Sequence, residues 1–175
     1  MTMQHALRTL TLATAALVLT APTPTYAAET PNGTTTERER GIVMECTGEA
    51  DGLEVYTSIY ENHRYGNYVQ VVLGDPDAGN GVNKKAERAF LRDGAVRATV
   101  TIDGTRAKVR GTASKVGKKK HVHDELDDAG YHVTSDGTHR RLRNDLVLSY
   151  GGTLVPLTCD TAFAYDLTVT KTPIV

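Results

Sequence analysis

The residue pattern best suited to chemistry in this chain is His121-Val122-His123. Residues two apart on a strand project from one face, so the two imidazoles would stand side by side, a spacing that suits two nitrogen ligands on one metal ion. Asp124, Glu125, Asp127 and Asp128 follow at once, and His132 and His139 lie within reach of the next hairpin. Two or three histidines with one carboxylate would hold zinc or another borderline divalent ion, which activates water for hydrolysis. The lysine triplet Lys118 to Lys120 opposes cation binding, and the competing reading is a solvated loop whose lysines and carboxylates neutralise one another. No cofactor is therefore expected, with a divalent ion at His121 and His123 as the alternative.

Other catalytic patterns are weaker. Asp75, Asp77 and Asn80 alternate oxygen side chains as a calcium loop does, but Gly79 stands where a ligand belongs and Asn80 where glycine is required. No Gly-x-Ser-x-Gly run surrounds Ser58, Ser114, Ser135 or Ser149. The chain therefore leans away from an enzyme.

Two groups of residues point to binding instead. Tyr56, Tyr60, Tyr65 and Tyr68 fall close together, and each offers an apolar ring with a polar tip. They line a binding mouth in one reading and cap the two faces of a sheet in the other. Charge is also segregated. Lys84 to Arg143 holds 15 Lys and Arg against 8 Asp and Glu, while the whole chain has a net charge of −1. The outward positions Arg97, Lys108, Arg110, Arg141 and Arg143 are candidates for a basic flank that meets an anionic extracellular polymer or a protein partner. Few aromatics interleave with these cations, which argues against nucleic acid. Charges that keep strand edges from pairing with other chains are the plainer explanation.

The elements that must position these residues read as strands. Val96, Ala98, Val100 and Ile102 alternate with Arg97, Thr99 and Thr101, and Ala107, Val109 and Gly111 alternate with Arg106, Lys108 and Arg110. Asp51-Gly52, Asp93-Gly94, Asp103-Gly104 and Asp136-Gly137, with Gly151-Gly152, are turn signals, because tight hairpins need positive φ at both central residues. These cues predict an all-β domain over 41–175, a single antiparallel meander of about eight to ten strands. The expected spans are 42–47, 53–61, 67–73, 88–93, 95–103, 105–115, 130–136, 138–150, 153–158 and 161–170. Residues 75–85 and 118–129 are expected as polar loops. A meander of this size curls into a small barrel or splits into a β-sandwich.

Cys46 and Cys159, the only cysteines, favour the barrel. A disulfide between them would join the first strand to a late one and close the meander. Such a bond fits an oxidising compartment, and the N-terminus agrees. Arg8, the uncharged apolar run Leu10 to Thr20, and small residues at Thr25 and Ala27 form an export signal cleaved after Ala27. The run is shorter than the roughly 20 apolar residues that span a bilayer, and no later stretch replaces it, so no transmembrane anchor is expected after cleavage. The chain thus divides into a signal peptide at 1–27, a flexible polar leader at 28–40 and one domain beyond.

Three readings of function follow. The first is a secreted non-enzymatic β-barrel binding module for a small ligand, an anionic polymer or a protein partner. The second is a small secreted hydrolase using His121 and His123, with or without metal. The third is an extracellular inhibitor or interaction protein.

Overall fold

Five tight turns order the strands. Asp51, Asp93 and Asp103 adopt φ of 53°, 49° and 49°, and each is followed by a glycine with positive φ. That is the conformation the Asp-Gly pairs predict. Gly151-Gly152 makes a fourth turn of this kind, and Ala129-Gly130 a fifth, with φ of 48° at an alanine. The computed structural model describes residues 33–75 and 79–174. The expected export signal and its cleavage point lie outside the described residues.

The elements are β1 (Thr35–Ala50), β2 (Leu53–Asn62), β3 (Gly66–Leu73), β4 (Asn80–Ala86), β5 (Leu91–Arg92), β6 (Ala95–Ile102), β7 (Thr105–Lys115), β8 (Lys120–Asp128), β9 (Tyr131–Tyr150) and β10 (Thr153–Pro173). They pair in the order β4-β3-β2-β1-β10-β9-β7-β6-β5, with β8 beside β9, and every pairing is antiparallel. The protein is an all-β curled meander that forms a half-barrel. Its first and last strands meet at the centre of the sheet, where Cys46 lies directly opposite Cys159 and the two are disulfide-bonded. The bridge therefore joins the ends of the meander as expected.

Inward side chains of the long strands fill the trough. Met44, Ile59, Val69, Val96, Leu146, Leu148 and Val155 are at most 1% exposed. Ala98 and Ala107 are buried among them. The space at Gly111 is taken by the neighbouring strand, because a Cβ there would lie 1.9 Å from the Asp145 carbonyl oxygen.

Five expectations change. The polar leader is strand from Thr35 onward, paired with the end of β10. Residues 80–86 form β4 rather than a loop; as an edge strand it needs only one side paired and tolerates its lysines. Residues 120–128 form β8, a second edge strand. Asp136-Gly137 is no turn, since β9 runs straight through it with β8 and β10 on either side. Gly137 serves close approach instead, as a Cβ there would lie 2.2 Å from the Asp166 carbonyl oxygen. The expected break near 159–161 is a register shift within a continuous β10.

Candidate functional site

The half-barrel stops short of closure between β4 and β6. Both strands have a backbone partner on one side only over most of their length, β3 for β4 and β7 for β6. Side chains bridge the seam instead. The Lys84 ammonium donates to the Thr99 carbonyl at 2.9 Å, and the Asn80 amide donates to the Asp103 carboxylate. These two contacts share one antiparallel register, the one β4 and β6 would adopt in a closed barrel.

The gap opens into a cleft of about 580 Å³ whose lining includes Lys84, Arg88, Arg92, Arg97, Asp93 and the edge of Phe90. Four cations thus meet one carboxylate. A second hollow of about 490 Å³ continues along β6 past Arg97 to Arg110. Arg97 and Arg110 are cross-strand partners and both are exposed. The segment that carries Arg88 and Arg92 is held in place by Glu61. Its half-buried carboxylate accepts the Leu91 amide at 2.6 Å. Burial pushes the Glu61 carboxyl up, opposed by the Leu91 and Phe90 amides and by the Arg92 charge.

Lys108, Arg141 and Arg143 occupy the same outward side of β7 and β9 as Arg110, with Lys108 opposite Ser149 and Arg143 opposite Ser114. Among the described residues none of Arg97, Lys108, Arg110, Arg141 and Arg143 forms an ion pair. The outward row, interrupted by the exposed Asp145 opposite Thr112, is therefore mostly basic and ends in the cleft. Lys84, Arg88 and Arg92 were not among the sequence candidates. The β5–β6 hairpin brings Arg88 and Arg92 beside Arg97, and the reach of Lys84 across the seam adds the fourth cation.

The histidines interleave with carboxylates along β8 and β9. Asp136 faces His121 and His123, each at 3.2 Å. His123 also meets Glu125 at 3.1 Å, and His132 meets Asp127 at 2.9 Å and Glu125 at 3.9 Å. Asp136 and Glu125 pull the His123 pKa up. Among the described residues no group of three or more His, Cys, Asp or Glu side chains is arranged to hold a metal ion. His139 does not join them. It stacks on Phe163 on the opposite face, with ring centroids 4.1 Å apart, and burial pulls its pKa down. Of the calcium-like loop, Asp77 lies outside the described residues.

The tyrosines do not line one mouth. Tyr60 lies between Tyr68, tilted against it at 6.3 Å, and Tyr165, stacked on it at 6.4 Å, on the outer face of the sheet. Tyr65 donates its hydroxyl to Glu37 at 2.8 Å. Tyr56 stands apart, in a separate cleft with Glu49 and Glu54. Below the cluster, Asn62 is 1% exposed. It donates to Glu39 at 2.7 Å and to the Tyr60 hydroxyl at 2.8 Å, and it accepts the Arg64 amide at 2.9 Å. Tyr165 spans the sheet to donate to the Glu61 carbonyl at 3.0 Å. This is the bonding of a braced sheet corner.

No protein-family model matches the chain, and no curated protein sequence matches it. Among solved structures it is similar to one from Nitrosomonas europaea, described provisionally as AttH, with 12% identity and a TM-score of 0.27. The match covers 90% of this chain and 59% of that one. So loose a likeness carries no assignment of function. Among the described residues no helix is long and apolar enough to cross a membrane.

Proposed function

We propose that the protein is a secreted, non-enzymatic binding module that takes an anionic ligand in the cleft between β4 and β6. The observation that carries the reading is the charge of that cleft, where Lys84, Arg88, Arg92 and Arg97 face Asp93 as the one carboxylate. A concave site lined by one sign of charge focuses the field and raises the local concentration of a counter-charged ligand. The row Arg97, Arg110, Lys108 extends the attraction along β6 and β7, which favours a chain over a compact ion. Secretion is supported by the disulfide and by the N-terminal signal pattern.

The test is titration with heparin, an anionic polysaccharide, over a series of salt concentrations. The wild type should bind at low salt and weaken as screening shortens the range of the exposed charges. Arg97→Glu with Arg110→Glu should bind at least about tenfold more weakly, a difference of about 1.4 kcal/mol. Equal binding by the double variant would remove the cleft from the function.

A further inference from the structure

The free edge of β6 carries more than charge. In an antiparallel strand the N–H and C=O of alternate residues point to the same side. On β6 the odd residues point away from β7, since the Arg97 N–H donates to the Phe90 carbonyl at 2.9 Å and the Thr99 carbonyl accepts Lys84. The Thr99 N–H and both the N–H and the C=O of Thr101 therefore face the seam. Among the described residues none of the three has a backbone partner. An unpaired row of this kind is a template for one more strand. Edge strands avoid such pairing with prolines, bulges, charges or a covering element; β6 (AVRATVTI) has no proline, and its protections, Arg97 and the Lys84 contact to Thr99, are cations that repel a basic strand and attract an acidic one.

We propose that the β6 edge binds an acidic polypeptide segment in extended conformation, which adds as a strand in the seam. The proposal rests on the anionic-ligand reading and narrows it to a ligand with amide groups. Main-chain bonds to Thr99 and Thr101 would supply affinity and register, as in other strand-addition complexes. Arg88, Arg92 and Arg97 would supply the preference for acidic side chains, since they ring the end of the cleft beside the edge. Parts of β4 lie within 8 Å of β6, less than the roughly 9–10 Å that a strand between them needs, so the incoming strand displaces β4 and replaces the Lys84 contact to Thr99 and the Asn80 contact to Asp103. Both are side-chain bridges that take the place of a ladder. Releasing them frees the Lys84 ammonium to meet a carboxylate of the ligand.

The experiment uses a ten-residue peptide of alternating Glu and Thr, the same peptide N-methylated at alternate residues, and heparin. Each is titrated against the wild type and Thr101→Pro, a position outside the lining of the cleft. Proline there removes an N–H that has no partner among the described residues, a position where edge strands tolerate it. The wild type should bind the plain peptide at least about tenfold more tightly than the N-methylated one, and Thr101→Pro should lose the same factor for the plain peptide while keeping its heparin affinity. Equal binding of the two peptides overturns strand addition. Heparin binding without peptide binding also overturns it and leaves the anionic-ligand reading intact. Absence of both at low salt overturns both. If Thr101→Pro unfolds, the comparison of peptides on the wild type decides alone. Sedimentation that shows a concentration-dependent dimer in place of peptide binding assigns the edge to a second copy and overturns the acidic partner.

Discussion

Replacing Cys46 and Cys159 together by alanine should lower the melting temperature by roughly 15 °C or more. The bridge closes a loop with a sequence separation of 113. In the chain-entropy treatment, a loop of that length removes about 16 cal/mol/K from the unfolded ensemble, or about 5 kcal/mol at 25 °C. A domain of roughly 140 ordered residues unfolds with about 0.3 kcal/mol/K of entropy at its midpoint, so that loss corresponds to about 16 °C. Packing adds to it, because Cys46 is 1% exposed and contributes to the core. Filling its place with a methyl group leaves a small void, which costs about 1 kcal/mol more. Two melts separate the contributions. The wild type unfolded with dithiothreitol present keeps both sulfurs and loses only the cross-link, whereas the double alanine variant loses both. Calorimetry of the oxidised, reduced and substituted forms should therefore give a large first step and a smaller second one. A first step below about 5 °C would refute the idea that the bridge acts by holding the ends of the meander together in the unfolded chain.

Two further outcomes follow from the polar contacts. Tyr165→Phe removes the hydroxyl that reaches the Glu61 carbonyl and should cost about 1–1.5 kcal/mol, or ~3–5 °C in the thermal midpoint; an unchanged midpoint would show that the corner does not brace the sheet. His123 should titrate above its ordinary value of 6.5 and His139 below it, by proton NMR. Because the folded-state pKa of His123 is raised, its contribution to holding β8 on β9 is complete below pH 6.5 and is lost as pH rises through the elevated value. Amide exchange in β8 should quicken over that window, and His123→Gln should weaken the pH dependence, with His121 and His132 still paired to carboxylates on the same strands.

Much of the strand pattern could be read from local alternation. Val96 to Ile102 and Ala107 to Gly111 face inward as their spacing indicates, and three Asp-Gly pairs turn where tight hairpins need them. Asp136-Gly137 misleads because the same dipeptide meets a second requirement, room for the backbone of β10 at Asp166. The β8 alternation of Val122 and Leu126 was present in KHVHDELDD, but its charges resemble a loop until a partner strand is known. The site was half legible. Arg97 and Arg110 are outward by simple parity, whereas Arg88 and Arg92 join them through the short β5–β6 hairpin and Lys84 only by reaching across the seam between β4 and β6. The bond from Tyr165 to the Glu61 carbonyl leaves no trace in the sequence, because it crosses from β10 to β2 above Gly41. A Cβ at Gly41 would lie 1.7 Å from the Glu61 carbonyl oxygen, and no local signal reports that proximity.

The union of β1 with β10 also governs when the molecule can take shape. The middle of the sheet is made from β1 and β10, which are far apart in sequence, and its outer edges from the strands between them. The β2–β3 and β6–β7 hairpins can form early, since each is local. The central ladder has to wait until β1 and β10 find each other. Contacts of such long sequence separation slow folding, because the loop must close before the pairing rewards it. The order of assembly thus runs from the rims of the trough to its centre, with the disulfide sealing the last ladder to form.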